Sequence, residues 1–348
     1  MEQTSAKTTV LILAALLSAA CTGTVPVTDG SPDESVPIFF DTSADAATRA
    51  LIEPGNFNTP GNRITVYDTW TPDGGEPELY MDAAAAEYTG SSWDYTPVRY
   101  WTKTGVHSFL AFTSEYSTDG GRSFISLPDN LEITYGTSTG DLAVRNWKIT
   151  LENQFDFMYA RHTRSMAETN PHRPVGLQME HLLSAIRFNI TNLIPQDDIS
   201  TTDIYFTGIE IKGASDTGDA VISESEEGSS VDMDLGVSGD AVLVREDDAP
   251  VPLYYGQAHN ILSGHGNIGE DGCFLIWPHD SGRLGNVTAT IRYTRNGVSN
   301  ETELDLDSGT STWRAGRKYI YNIEIQDNSI SFSVEVVDWI YDDVAIEE

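Results

Sequence analysis

The feature that most constrains the fold is a recurring pattern of short apolar or alternating runs. From about residue 63 onward such runs include RITVYDTW, SFLAFTS, DIYFTGIEIKG and RKYIYNIEIQD. Clusters of Gly, Asp, Asn, Ser and Pro interrupt them about every 8 to 12 residues, which marks turns between strands. This spacing is typical of β-sandwiches and barrels. The sequence therefore predicts an all-β protein of many short strands.

Local signals agree with this prediction and leave little room for helices. Asn296-Gly297 separates two strand patterns, and this dipeptide is a strong signal for a two-residue hairpin turn. Two stretches, YMDAAAAEYT and MEHLLSAI, could each form about two turns of helix. No amphipathic period extends to about 15 residues, so a long helix is not expected.

The charge excludes one class of function. The chain of 348 residues has 20 Lys and Arg against 53 Asp and Glu, a formal net charge of −33. Such a field repels nucleic-acid phosphates and anionic membranes, so a nucleic-acid partner is not expected. A hydrophobic content of 39% is enough to bury a core.

The first 20 residues are predicted to be a signal peptide. An apolar run, Val10 to Ala20, is too short to span a bilayer but suits a signal core. Ser18, Ala19 and Ala20 before Cys21 resemble a bacterial lipoprotein processing site. We expect cleavage before Cys21 and acylation of its sulfur. A plain secretory signal is the alternative. Every other apolar run is also too short for a transmembrane helix.

Residues 21–49 are predicted to be a tether followed by a short strand. Residues 22–35 are rich in Pro, Gly, Ser, Thr and Asp, and VPIFF follows as an apolar strand candidate. Arg49 is the one basic residue between Lys7 and Arg63. The length beyond favours two sandwich domains, and a stretch of low periodicity at residues 161–176 suggests a boundary. We predict domains at 50–170 and 171–348.

Motifs for catalysis and metal binding are weak. His259 and His265 share a loop, which is a poor metal signal, and no nucleotide-binding or hydrolase motif occurs. The acidic stretches DMDLGVSGD and LDLDSG are better explained as solvated strand edges than as calcium loops. We predict no enzyme activity, no cofactor and no metal. A glycosidase would need two carboxylates that converge in a cleft, and no pair of acidic residues is predicted for that role.

An aromatic stretch has two interpretations. Trp70, Trp93, Tyr95, Tyr100 and Trp101 are concentrated in the first predicted domain. They could form a platform that stacks on sugar rings. Packing in the core and rim of a sandwich is the favoured interpretation.

Several segments, in order, carry a family resemblance. After the lipoprotein-like signal come the apolar strand and Thr48-Arg49-Ala50. WDYTPVRYWTKTGVHSFLAF, PVGLQMEHLLSAIRFNI, CFLIWPHD and TWRAGRKYIYNIEI follow, and a late Trp339 closes the series. Together these segments resemble the fimbrillin family of Bacteroidia, the FimA-type pilins.

The resemblance implies a fold and a maturation pathway. The fold would be two tandem transthyretin-like β-sandwiches. Export as an outer-membrane lipoprotein would be followed by cleavage between Arg49 and Ala50 by an Arg-specific protease. The cut would release a strand, and a strand of another fimbrial subunit would replace it on the cell surface. The departing strand would carry Val36, Ile38, Phe39 and Phe40.

The resemblance also implies a donor strand. It would come from the C-terminal segment, Ser329 to Val344, and its candidate residues are Ile330, Phe332, Val334, Val336 and Trp339. A stalk, tip or anchor position stays open. The alternative function is a surface lipoprotein that does not polymerise and binds a glycan or host ligand.

Overall fold

The computed structural model describes residues 35–42, 57–117, 119–167, 171–195, 201–225, 228–237, 239–263 and 272–338. Several positions singled out in the sequence lie outside these residues: Cys21, Arg49, Ala50, His265 and Trp339. In the described part, no helix is long and apolar enough to cross a bilayer.

The described chain is all-β, which confirms the predicted fold class. It has a helical turn, α1 (Ser281–Leu284), and a 3-10 turn, Leu306–Ser308. The strands before residue 170 are β1 (Phe40–Asp41), β2 (Arg63–Thr71), β3 (Glu78–Tyr88), β4 (Trp93–Tyr95), β5 (Val106–Tyr116), β6 (Ile125–Ser126), β7 (Glu132–Tyr135), β8 (Leu142–Lys148) and β9 (Met158–Arg164). The strands after it are β10 (Val175–Gly176), β11 (Glu180–His181), β12 (Ser184–Asn192), β13 (Ile204–Lys212), β14 (Thr217–Ser225), β15 (Gly228–Gly236), β16 (Leu243–Pro252), β17 (Ala258–Asn260), β18 (Phe274–Ile276), β19 (His279–Asp280), β20 (Thr288–Arg295), β21 (Val298–Asp305), β22 (Thr312–Trp313), β23 (Arg317–Ile325) and β24 (Ile330–Asp338).

The described strands form five sheets, and two of them, the largest and the one that contains β12 and β23, include a parallel pair. The largest has the order β10-β1-β4-β3-β2-β5-β9-β11, with β6 paired to β5. A second runs β17-β12-β23-β24, with β18 also paired to β12. Two four-stranded sheets run β16-β13-β20-β21 and β15-β14-β8-β7, and β19 pairs with β22.

Alternating apolar residues place the core against the largest sheet. On β2, Ile64 and Val66 are fully buried, and Thr65 between them is partly exposed. Successive side chains of a strand point to opposite faces, so this alternation gives β2 one buried face. The neighbouring β5 is buried from Phe109 to Thr113, since both of its faces are covered.

One sheet joins strands from both sides of the predicted boundary at residue 170. Strand β8 pairs with β14 in antiparallel register, for example Trp147 with Gly218. The indole nitrogen of Trp277 donates a hydrogen bond of 3.1 Å to the carbonyl oxygen of Trp147. The described residues from Val36 onward belong to one compact unit. The division into two domains stays a prediction.

Both helical predictions are wrong. YMDAAAAEYT lies in β3, where Met81 and Ala86 are buried. MEHLLSAI lies in β11 and the start of β12. Alanine and leucine favour helices, but the preference is a weak prior that tertiary packing overrides. Pairing of β3 with β2 and of β12 with β23 decides the conformation here.

The hairpin prediction at Asn296-Gly297 is confirmed. The two residues connect β20 to β21, and their φ angles are 51° and 74°. A two-residue turn of this kind needs left-handed backbone at both positions, which Asn and Gly adopt at low cost.

Candidate functional site

Residues 36–41, hereafter the N-terminal segment, complete the largest sheet. β1 is its last part and lies between β10 and β4. Phe40 pairs with Val175 in parallel direction on one side and with Trp93 in antiparallel direction on the other. Pro37 forms an isolated antiparallel bridge with Tyr100. The segment thus occupies a groove with one antiparallel wall and one parallel wall.

Backbone hydrogen bonds hold the segment on both sides. The amide of Ile38 donates to the carbonyl oxygen of Arg99 at 2.9 Å, and the amide of Trp101 donates to that of Val36 at 2.9 Å. On the other side, Val175 and Leu177 donate to the carbonyl oxygens of Phe39 and Asp41, each at 2.7 Å. This alternation is that of a regular strand inside a sheet.

Alternate side chains of the segment enter the core. Ile38 is fully buried, Phe40 is 3% exposed and Val36 is 7% exposed. Phe39, between two of them, is 44% exposed. VPIFF is therefore an extended segment with one buried face, and three of its four candidate residues lie on that face.

The ring of Phe40 fits a pocket made by aromatic side chains. Its centroid lies 5.4 Å from that of Tyr95 and 5.8 Å from that of Phe109, with an edge-on contact to Phe109. Edge-to-face and tilted contacts at such distances add to the stabilisation from burial. The pocket is therefore filled by an aromatic ring.

The aromatic stretch forms the antiparallel wall of the groove. The hydroxyl of Tyr95 donates a hydrogen bond of 3.0 Å to the carbonyl oxygen of Ile38, and burial raises the pKa of Tyr95 to about 12. The indole nitrogen of Trp93 donates to the hydroxyl of Thr42 at 3.0 Å. The sequence pattern marks VPIFF and WDYTPVRYW as separate features, and no local signal indicates that they are neighbours.

Packing, rather than sugar stacking, is the role of the main aromatic residues. Trp93, Tyr95 and Trp101 are 2%, 7% and 6% exposed, which confirms the packing interpretation for them. Tyr100 is 43% exposed, and the half-buried Trp70 donates its indole hydrogen to the carbonyl oxygen of Thr104. The three buried rings therefore offer no face to a sugar.

A buried polar chain lies beneath the groove. Nδ1 of His107 is 2.7 Å from a carboxylate oxygen of Asp68, and its Nε2 is 2.9 Å from the hydroxyl of Thr102. Burial raises the pKa of Asp68, and the hydrogen bond with His107 opposes that rise. His107 and Asp68 are fully buried beside Phe109, 5.8 Å from the imidazole. The sequence of hydroxyl, imidazole and carboxylate resembles a catalytic triad. Because the imidazole and the carboxylate are fully buried, no substrate could reach them, and their hydrogen bonds support the wall.

The candidate donor residues lie on an edge strand. β24 pairs with β23 over nine positions, from Ile325 with Ile330 to Arg317 with Asp338. In the described part of the sheet β24 is terminal. Ile330, Phe332 and Val334 are half-buried against the core, and Val336 is 49% exposed.

The acidic stretches show no arrangement suited to an ion. DMDLGVSGD falls largely within β15, whose Asp232 and Asp234 are exposed, and LDLDSG ends β21. Within the described residues, no group of three or more His, Cys, Asp or Glu could hold a metal. Cys273 is buried, as expected for a core residue.

Two solved structures share the fold. A fimbrial protein from Bacteroides vulgatus is 16% identical, covers 87% of this chain and 99% of its own, and has a TM-score of 0.51. A candidate cell-adhesion protein from Bacteroides uniformis is 16% identical, covers 88% of this chain and 100% of its own, and has a TM-score of 0.50. At this identity the likeness concerns the fold.

A family model gives the identity. The model described as fimbrillin-like matches residues 48–339, most of the chain. Among curated proteins, no sequence matches this chain. Fimbrillin-like proteins are non-enzymatic and belong to fimbriae at the cell surface. The chain belongs to the fimbrillin-like family.

Proposed function

We propose that this chain is a fimbrial subunit that polymerises by strand exchange at the groove of the N-terminal segment. It is exported as a lipoprotein acylated at Cys21 and cut after Arg49 by an Arg-specific protease. The cut separates residues 36–41 from the rest of the chain. A strand of the next subunit then occupies the groove. The observation that carries this proposal is that the N-terminal segment supplies an inner strand of the largest sheet.

Loss of the segment would leave a surface that favours a new strand. Burying a Val, Ile or Phe side chain stabilises a fold by about 1.5–3 kcal/mol, and the segment buries three of them. Its departure also leaves the amides of Val175 and Leu177 without the carbonyl oxygens of Phe39 and Asp41 that accept from them. Addition of a strand replaces both kinds of contact.

The C-terminal strand is the proposed donor. Read from the N-terminus, the groove holds Val36, Ile38 and Phe40, whereas β24 offers Phe332, Val334 and Val336 at the same spacing. The sizes therefore match when the donor runs in the opposite direction, with Phe332 in the pocket of Phe40. Donation would separate β24 from β23. Strand exchange therefore requires that binding in the groove be more favourable in free energy than the pairing of β24 with β23.

A protease experiment tests the proposal. The chain from residue 21, produced without lipid, is treated with an Arg-specific protease, and its new N-terminus is read by mass spectrometry. We expect cleavage before Ala50 and ladders on an unheated gel. Arg122→Ala, which alters an exposed arginine elsewhere in the chain, should behave like the parent. Arg49→Ala should stay monomeric.

Two outcomes would count against the proposal. The first is a ladder from Arg49→Ala equal to that of the parent. The second is a parent chain that is correctly trimmed to Ala50 and stays monomeric over the concentrations used. The second result would leave the family membership intact but remove strand exchange at this groove.

A further inference from the structure

The parallel wall of the groove has little support from its own sheet. Among the described strands, β10 has one sheet neighbour, which is β1. Its amide hydrogen bonds to the segment come from Val175 and the following Leu177. When residues 36–41 leave, these hydrogen bonds are lost. The two-residue strand β10 could then move away from the rest of the groove.

Arg164 connects the two residues that precede β10 with the antiparallel wall of the groove. Its Nη1 donates to the carbonyl oxygens of Arg173 and Pro174, at 2.8 and 3.1 Å. Its Cζ lies over the indole of Trp101, 4.9 Å from the ring centroid. Trp101 in turn donates its amide hydrogen to Val36 from the antiparallel wall. The guanidinium thus bridges the two walls of the groove.

None of these Arg164 contacts uses the N-terminal segment. Arg164 ends β9, and its backbone pairs with His107 of β5 inside the sheet. The residue is 5% exposed, so its hydrogen bonds are shielded from competing water. Downstream of β10, His181 of β11 pairs with Met158 at the other end of β9. β9 therefore anchors the chain on both sides of β10.

We propose that Arg164 is a positioning residue that keeps the groove open to an incoming strand after the N-terminal segment has left. A guanidinium suits this role because it is planar, with several fixed donors, and can stack on an indole while bonding carbonyl oxygens. Lysine carries the same charge but lacks both the fork and the flat face. The inference rests on the proposed strand exchange, because it concerns the same groove.

Arg161 offers a matched control. It lies on the same strand, and its two terminal nitrogens both donate to the carbonyl oxygen of Gly140 at 2.9 Å. Arg161→Lys therefore removes a comparable number of charge-assisted hydrogen bonds from β9. It does so without touching Arg173, Pro174 or Trp101.

The first measurement uses the intact chain. Amide hydrogen exchange is followed at residues 175–177 in the parent, Arg164→Lys and Arg161→Lys. We expect Arg164→Lys to speed exchange at Val175 and Leu177 by roughly tenfold, and Arg161→Lys to leave it within about twofold. Equal protection in all three proteins would overturn the inference.

The second measurement concerns the open groove. A recognition site for an unrelated protease is placed between residues 42 and 57, so that the cut does not depend on Arg49. After cleavage, uptake of a labelled peptide with the sequence of residues 35–42 is measured by fluorescence anisotropy. We expect the parent and Arg161→Lys to bind alike, and Arg164→Lys to bind roughly tenfold more weakly.

The results separate the two proposals. Uptake by the parent with unchanged uptake by Arg164→Lys would overturn the role of Arg164 and leave strand exchange standing. A parent that takes up no peptide would overturn strand exchange, and the positioning role with it. Weak uptake by Arg164→Lys combined with a normal melting temperature of the uncut chain would support the role over a general loss of fold.

Discussion

The hydroxyl of Tyr95 lies 3.0 Å from the carbonyl oxygen of Ile38 and donates a hydrogen bond to it. Tyr95 belongs to the antiparallel wall, and Ile38 is the central buried residue of the N-terminal segment. Removal of the hydroxyl by Tyr95→Phe leaves a buried carbonyl oxygen short of a partner. We expect the free energy of unfolding to fall by about 1–2 kcal/mol in urea denaturation. Tyr100→Phe, at a 43% exposed position, should change it by less than about 0.5 kcal/mol.

Alkaline pH should weaken the fold through the same tyrosine. Its pKa in the folded chain is about 12, raised by burial, against an ordinary value of 10.0. Between these pH values the folded state keeps a proton that the unfolded state loses. The stabilisation that Tyr95 contributes is therefore complete below pH 10 and is lost toward pH 12. Unfolding free energies measured between pH 8 and 12 should fall less steeply for Tyr95→Phe. Equal slopes would contradict the prediction. Burial also raises the pKa values of Tyr159 and Tyr321, so the unfolding free energy of the variant should still decline somewhat at alkaline pH.

Phe40 and Phe39 should differ sharply despite being neighbours. Phe40 is 3% exposed and fills the aromatic pocket, so Phe40→Ala should cost about 3–5 kcal/mol of unfolding free energy. Phe39 is 44% exposed, and Phe39→Ala should cost less than about 1 kcal/mol. Chemical denaturation of the intact chain checks both values. Similar losses of unfolding free energy would mean that burial of Phe40 does not hold the segment in the groove.

Val336 provides a test of the donor strand. It is 49% exposed, so Val336→Asp should change the unfolding free energy of the monomer by less than about 1 kcal/mol. In the proposed assembly this side chain enters the site of Val36, where an aspartate would be desolvated. The trimmed variant should therefore form no ladders on an unheated gel. Val298→Asp, at a position 64% exposed on β21, should polymerise like the parent. Polymerisation of both variants would exclude β24 as donor.

Trp93 should behave as a core residue. Because Trp93 is 2% exposed and contacts Phe57 and Tyr88, Trp93→Ala should cost about 3–5 kcal/mol of unfolding free energy. Thermal and chemical denaturation measure this loss. A stable variant that instead loses binding on a glycan array would restore the sugar-platform interpretation.

The strands could be predicted from the sequence because their periodicity is local. Alternation in RITVYDTW identifies β2, and the turn chemistry of Asn296-Gly297 identifies the β20–β21 hairpin. The alanine-rich β3 could not, because alanine has no strong strand signal and only its neighbours β2 and β4 make it a strand.

The groove could be predicted only in part. Alternation in VPIFF indicates which side chains are buried, but periodicity carries no information about the neighbouring strand. Phe40 pairs with Val175, which is distant in sequence, and His107 meets Asp68 across two adjacent strands. Arg164 gave no sequence signal either, since its partners are backbone carbonyl oxygens of a loop. Such pairings come from topology, which a single sequence does not specify.

The position of the N-terminal segment in the groove of its own chain affects when assembly can begin. Residues 36–41 belong to the same chain as the groove, so they compete for it at an effective concentration that short tethers raise to roughly millimolar. A strand from another subunit, dilute by comparison, would rarely displace them. Breaking one peptide bond in residues 43–56 turns that intramolecular competitor into a free peptide, which dilutes away once it dissociates. Polymerisation would then be timed by a covalent cut, while the affinity of the groove itself stays unchanged.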